Sequence, residues 1–205
     1  MIFIGRLVWR MVLKIWNLLR KKGGNVVTIK GEKCYIRTFQ EKDARSLTGL
    51  VSRNKYFWSI YEPLQRPEYY TVDAQYKKIQ ESLYLMESKR EFTFGIFEHG
   101  TNNLIGHIAL YAVKRLPYSS AFVGYAMDEI YVGKGIVTEA VNMVVRFAFE
   151  QIGLHRVEAY VSTQNSASMR VLEKAGFQQE GLLRKLLYIN GHWVDHYMYA
   201  RLEDE

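Results

Sequence analysis

The chain has 205 residues, 48 % of them hydrophobic and 24 % charged, with three prolines and one cysteine. This composition suits one globular domain with a sizeable core and excludes an intrinsically disordered chain. The lone Cys34 excludes an internal disulfide and a thiol-based zinc site and, with no secretory pattern, points to a reducing cytoplasm.

The net charge of +7 is unevenly placed. Residues 1–22 hold six of the 28 cations and none of the 21 acids, so the rest of the chain stands at +1. A near-neutral body argues against a nucleic-acid surface. In the basic segment Arg6, Arg10 and Lys14 share one helical face, and Ile4, Leu7, Val8, Met11, Val12, Ile15, Leu18 and Leu19 fill the rest. Charges interrupt it too often for a spanning helix. We expect an amphipathic helix over residues 1–24 ahead of one domain over 25–205. That helix would contact an anionic membrane surface, a second copy of the chain in a homodimer, or its own domain.

The body alternates strands and helices. Cys34–Phe39 alternates like a first strand, and Glu41–Asn54 suits a helix. An aromatic connection follows, K-Y-F-W-S-I-Y-E-P-L-Q-R-P-E-Y-Y, and Thr71 can cap a second helix to about Lys89. Glu91–Phe97, Leu104–Val113 and Tyr118–Met127 read as an antiparallel meander with turns at H-G-T-N-N and K-R-L-P. A long helix from about Gly135 to Gln151 carries the row Ile136, Ala140, Val144, Ala148 and Ile152 and stops at Gly153. Arg156–Val161 is a strand and Asn165–Ala175 a helix. Leu186–Ile189 and Trp193–Ala200 flank Asn190-Gly191, a strong hairpin signal. The order predicts an α+β or mixed three-layer domain around one sheet, with the strands in 118–127 and 156–161 parallel neighbours.

Two stretches carry chemistry. In D-E-I-Y-V-G-K-G-I-V-T-E-A-V, residues 128–141, Gly133 and Gly135 precede a helix whose free N–H groups suit an anion. There is no P-loop, and Thr138 stands where a dinucleotide fingerprint needs its third glycine. In S-T-Q-N-S-A-S-M-R-V-L-E-K-A-G-F, residues 162–177, Asn165 and Ser168 have N-cap and N3 spacing, which by itself reads as helix capping.

Together these stretches resemble the acetyl-CoA-binding motifs of the GNAT superfamily of N-acetyltransferases, typically [QR]-x-x-G-x-[GA] on the turn into the long helix. Here the turn reads Ile130-Tyr131-Val132-Gly133-Lys134-Gly135, with Ile130 in place of the leading Gln or Arg. G-Y-A-M-D from 124, L-H-R-V from 154, V-L-E-K-A-G-F from 171 and Y-I-N-G-H-W-V-D-H-Y-M-Y-A-R from 188 bring it nearest to the RimJ- and RimL-type ribosomal-protein N-terminal acetyltransferases. The resemblance spans about residues 31–202. It implies a central, mostly antiparallel sheet of about seven strands flanked by helices, with acetyl-CoA in the gap between two splayed parallel strands.

The same resemblance implies roles. Backbone near Met127 would pair with the pantetheine arm, and amides of Val132, Gly133, Lys134, Gly135, Ile136, Val137 and Thr138 would hold the pyrophosphate. Asn165 would bind the cofactor or a water, and Ser168 would give the departing sulfur its proton. RimL-type proteins carry a Glu three residues before the N-G turn, where this chain has Leu187. Candidates for the base are therefore Glu62, in the aromatic loop, and Tyr125. Glu139, Glu158, His107, His155 and His196 read as structural, and the histidines form no metal pattern. The leading expectation is direct acetyl transfer to a protein N-terminal α-amine. A small amine such as a polyamine, an aminoglycoside or a toxin is the second acceptor class, and a non-catalytic, membrane-associated CoA sensor is the rival.

Overall fold

The computed structural model describes residues 26–205, so the amphipathic segment expected over residues 1–24 lies outside them. One eight-stranded sheet runs through the domain in the order β1-β2-β3-β4-β5-β6-β8-β7. The strands are β1 (Thr28–Lys30), β2 (Cys34–Thr38), β3 (Phe92–Glu98), β4 (Leu104–Lys114), β5 (Ser120–Met127), β6 (Arg156–Ser162), β7 (Gln178–Ile189) and β8 (His192–Leu202). All neighbours are antiparallel except β5 and β6, which run parallel, as the strand-helix-strand order requires.

Helices cover both faces. On one lie α1 (Ala44–Arg53), a single turn α2 (Lys55–Trp58) and α3 (Val72–Glu87), whose Leu47, Leu50, Val51 and Ile79 form a smaller core with Phe97 and Leu104. On the other lie α4 (Ile136–Phe147) and α5 (Ser166–Lys174) over the main core. The periodic row of α4 explains this: Ile136, Ala140 and Val144 are all buried against the sheet. Fully burying Val141 or Val144 contributes roughly 1.5–3 kcal/mol each. The helix widens into a π-helical stretch over Ala148–Ile152 before Gly153 ends it at φ +73°.

The sheet is the mostly antiparallel one expected, with β1, a three-residue edge strand too short to show alternation, as its eighth strand. Two expectations need correction. The last hairpin is longer than expected: β7 begins at Gln178, not Leu186. Register shifts at Gln179/Gly181 and Leu183/Leu187, with Lys185 at φ +51°, break the period-two pattern there. The helix expected over 41–54 opens instead with a 3-10 turn, Glu41–Asp43, where Asp43 turns inward to Arg37. Asn190 and Gly191 take φ +48° and +92°, the two-residue turn that joins β7 to β8.

Glu139 fixes the β1–β2 hairpin to the first turn of α4. It accepts the backbone N–H groups of Glu32, Lys33 and Cys34 at 2.8, 2.9 and 3.1 Å. Burial alone would raise this carboxyl, but those amides hold it below its ordinary value. Its structural role is as the sequence indicates, and so is that of Glu158, paired with Arg156 at 2.7 Å.

Candidate active site

The glycine turn follows β5. Asp128 caps a short 3-10 turn, Glu129–Tyr131, and Gly133 and Gly135 both take φ +76°, a left-handed conformation costly for other residues. Gly135 is the N-cap of α4, and the helical ladder begins with Glu139 N–H donating to the Gly135 carbonyl at 3.2 Å. The amides of Ile136, Val137 and Thr138 therefore have no partner within the helix and carry its positive dipole end. A Cβ at Gly133 would meet nothing within 4 Å, so the turn is open on that side. At Gly135 it would lie 2.7 Å from Lys33 Nζ, which also donates to the Lys134 carbonyl at 3.2 Å. Ile130, at the position of the motif's leading Gln or Arg, is 70 % exposed.

The second motif folds as a capped helix. Asn165 Oδ1 accepts the Ser168 N–H at 3.0 Å, which orients the first turn of α5. Ser168 Oγ lies 2.8 Å from Tyr125 Oη on β5. Burial pushes the Tyr125 phenol up to about 12, with the Ser168 bond pulling the other way. At neutral pH the phenol keeps its proton, which suits a hydrogen-bond donor and not a base. The structure thus brings Asn165, Ser168 and Tyr125 into one chain of contacts.

Parallel pairing of β5 with β6 lasts three residues, from Ser120↔Arg156 to Phe122↔Glu158, and then the strands part. Tyr125 and Met127 lie beyond that point, on the divergent half of β5. Strand geometry sorts the rest by face. Tyr125 is opposite Ile108 and packs on the main core, whereas Ala126 is opposite His107 on the other face.

That other face holds a cavity of about 300 Å³ lined by Lys55, Trp58, Glu62, Tyr69, Lys78 and His107, among others. Half of the aromatic loop is thereby placed: Trp58, Tyr69 and Tyr70 both line the cavity and pack on the smaller core. Tyr56 instead points to solvent, 70 % exposed. Glu62 sits in the cavity mouth, accessible to solvent but surrounded by protein. That crowding raises its carboxyl, while Lys78 pulls it down. Burial pushes the His107 imidazole down to about 3, so it stays neutral, edge-on to Trp58 at 5.4 Å between ring centres. Glu62 and the Ser168–Tyr125 pair are on opposite faces of the sheet, at the half of β5 that is no longer paired with β6.

Some contacts at the site have no signal in the sequence. Lys33 reaches the glycine turn from the β1–β2 hairpin, about a hundred residues away along the chain. Trp58 Nε1 donates to the carbonyl of Met127 at 2.8 Å, linking the aromatic loop to the end of β5.

Residues 33–178 match the family model described as an acetyltransferase (GNAT) domain. The probable N-acetyltransferase YjcK of Bacillus subtilis is 43 % identical over 177 residues, which is 86 % of this chain and 98 % of that protein. Among solved structures, the ribosomal-protein-S5-alanine acetyltransferase of Vibrio fischeri superposes with TM-score 0.84 at 29 % identity, covering 87 % of this chain and 98 % of its own. RimL, the ribosomal L7/L12 α-N-protein acetyltransferase, solved in complex with coenzyme A, superposes with TM-score 0.78 at 25 % identity over 86 % and 98 % of the two chains. A family match over most of the chain, joined to a relative this similar along nearly its whole length, makes the chain a member of the GNAT acetyltransferases, which move an acetyl group from acetyl-CoA to an amine.

Proposed function

We propose that the acceptor is the α-amine of a protein N-terminus, as in ribosomal-protein-alanine acetyltransferases. One observation carries this reading. Beside the divergent half of β5 lie a hydroxyl pair, Tyr125 of β5 with Ser168 of α5, on one face and an aromatic cavity with one carboxylate, Glu62, on the other. Acetyl-CoA supplies a thioester carbonyl for direct attack by the amine. The amides of residues 132–138 would hold its pyrophosphate, and the open side of Gly133 fits that. Asn165 orients that turn by accepting the Ser168 amide at Oδ1, and its Nδ2 group would bind the cofactor or a water.

Ser168, backed by the neutral Tyr125 phenol, offers a hydrogen and then a proton where the sulfur departs. Glu62 takes the proton of the incoming ammonium, directly or through water. The choice of an α-amine follows from the modest base. An α-amine with pKa near 7.7–8.0 is already roughly a tenth neutral at pH 7, whereas a lysine near 10.4 is neutral in fewer than about one molecule in a thousand. His107 cannot help, because a base with pKa about 3 scarcely competes for an ammonium proton.

The test is thiol release from acetyl-CoA against a panel: peptides with free N-termini, the same peptides blocked but carrying lysine, polyamines and aminoglycosides. Turnover should appear with free N-termini and disappear on blocking. Turnover confined to small amines would overturn the reading. CoA binding with no turnover on any acceptor would identify a sensor instead.

A further inference from the structure

We propose that Arg53, Asn54 and Trp58 are positioning residues for acetyl-CoA, holding the corner from which the glycine turn springs and tying it to the acceptor wall. The inference rests on the reading that the turn at 133–135 holds the phosphates of acetyl-CoA.

Residues 127, 128 and 129 form the corner, and each is gripped from the six-residue segment 53–58. Arg53 Nε donates to Asp128 Oδ2 at 2.6 Å. Asn54 Oδ1 accepts the Glu129 N–H at 3.0 Å. Trp58 Nε1 donates to the Met127 carbonyl at 2.8 Å. Two further bonds brace the grip from behind. Arg53 Nη2 donates to the Leu104 carbonyl at 3.3 Å, and Asn54 Nδ2 to the Leu50 carbonyl at 2.9 Å.

Burial makes this more than a surface contact. Asp128 is 2 % exposed and Asn54 1 %. Polar groups buried this deeply carry a desolvation cost that only well-formed hydrogen bonds offset, so the corner has one strongly preferred geometry. Backbone bonds complete the corner: Met127 pairs with Gly106 in the β4–β5 ladder, Asp128 N–H donates to the Ile105 carbonyl, and Tyr131 and Val132 N–H donate to the carbonyls of Asp128 and Glu129. Segment 53–58 thus adds the side-chain grip to a backbone already placed by the sheet.

The same segment continues into the acceptor cavity through Lys55, Trp58, Ser59 and Glu62. Segment 53–58 is therefore a strut with the acceptor wall at one end and the base of the glycine turn at the other. Amides aimed at a phosphate work only if their backbone is held in place before the ligand arrives. No other described segment grips all three corner residues with side chains.

The experiment uses the full chain. Acetyl-CoA affinity by calorimetry and the KM–kcat split are measured for Asn54→Ala and for Trp58→Phe, which keeps the ring but removes the Nε1 donor. Ile79→Ala, a core change on α3 that removes none of the hydrogen bonds to the corner, serves as a matched loss of stability. Acetyl-CoA KM and Kd should rise roughly five- to tenfold in Asn54→Ala and Trp58→Phe, with kcat at saturation changing less. Ile79→Ala should lower the melting temperature with acetyl-CoA affinity unchanged. Equal acetyl-CoA affinity in all variants overturns the proposal, and so does an equal loss in Ile79→Ala. Should Asn54→Ala not fold, Trp58→Phe decides alone. Gly135→Glu separates the two levels. If it binds acetyl-CoA like the unaltered chain, the site reading fails and takes this proposal with it. If it abolishes binding while Asn54→Ala and Trp58→Phe bind normally, only the positioning role is lost.

Discussion

On the proposed mechanism, Glu62 is the residue on which the chemistry turns. RimL-type enzymes have a Glu near the final hairpin where this chain has Leu187, itself 41 % exposed on β7. Glu62 is the one carboxylate in the cavity wall. Its carboxyl is raised by the surrounding protein, so at low pH it is protonated and cannot accept a proton. The sign is then fixed: kcat/KM should fall as pH drops through the raised value, over and above the loss of neutral acceptor. Glu62→Gln should lower kcat/KM by about 10²-fold or more at neutral pH and remove the acid limb that belongs to the enzyme. A pH profile from 5 to 9 with one N-terminal peptide, compared between the two proteins, checks this. An unchanged acid limb in Glu62→Gln would assign the base elsewhere. The residue identities were legible because each motif is local: Gly133 and Gly135 are two apart, and Asn165 and Ser168 three. The partners were not. Tyr125 meets Ser168 from 43 residues away and Trp58 meets Met127 from 69 away, and no local spacing encodes such pairings.

Among the elements, α4 shows how a local signal and a distant one combine. Its apolar row and both bounding glycines could be read directly, because helical period and positive φ are properties of short stretches. Its attachment could not. Glu139 reaches three backbone amides of the β1–β2 hairpin, and β1 was invisible at three residues long. The close approach also needs Gly31, where a Cβ would lie 2.6 Å from Glu139 Cδ. Because the folded carboxyl is held below its ordinary value, this contribution is complete above the ordinary carboxylate range and is lost as pH falls through the lowered one. Glu139→Gln keeps the shape and removes the charge. It should cost about 1–2 kcal/mol at pH 7, since the bonds are charge-assisted but partly open to solvent. The deficit should shrink below pH 4. Urea unfolding at pH 7 and pH 3.5 measures it, and a deficit independent of pH would contradict the role given to the charge.

At the scale of the whole molecule, the three layers and the single parallel pair followed from element order, because a strand-helix-strand crossover admits one handed solution. The bulged edge β7 did not, since register shifts erase the alternation that marks a strand. On the proposed reading, the finished fold assembles the cofactor site from segments far apart in sequence: the corner held by α1 and α2, the glycine turn, and the first turn of α5. A ligand that spans them must stabilise the domain as a unit. At a hundred times its dissociation constant, acetyl-CoA should add about 2.7 kcal/mol. For a domain of this size that raises the melting temperature by about 5–10 °C. Gly135→Glu places a bulky carboxylate at φ +76°, against the proposed site of the pyrophosphate. It should lower the unliganded melting temperature modestly, through backbone strain of about 1–2 kcal/mol, and abolish the acetyl-CoA shift altogether. Those two effects separate strain from binding. A variant that loses stability yet keeps the full ligand shift would mean that the glycine turn is only a helix start, with the phosphates held elsewhere.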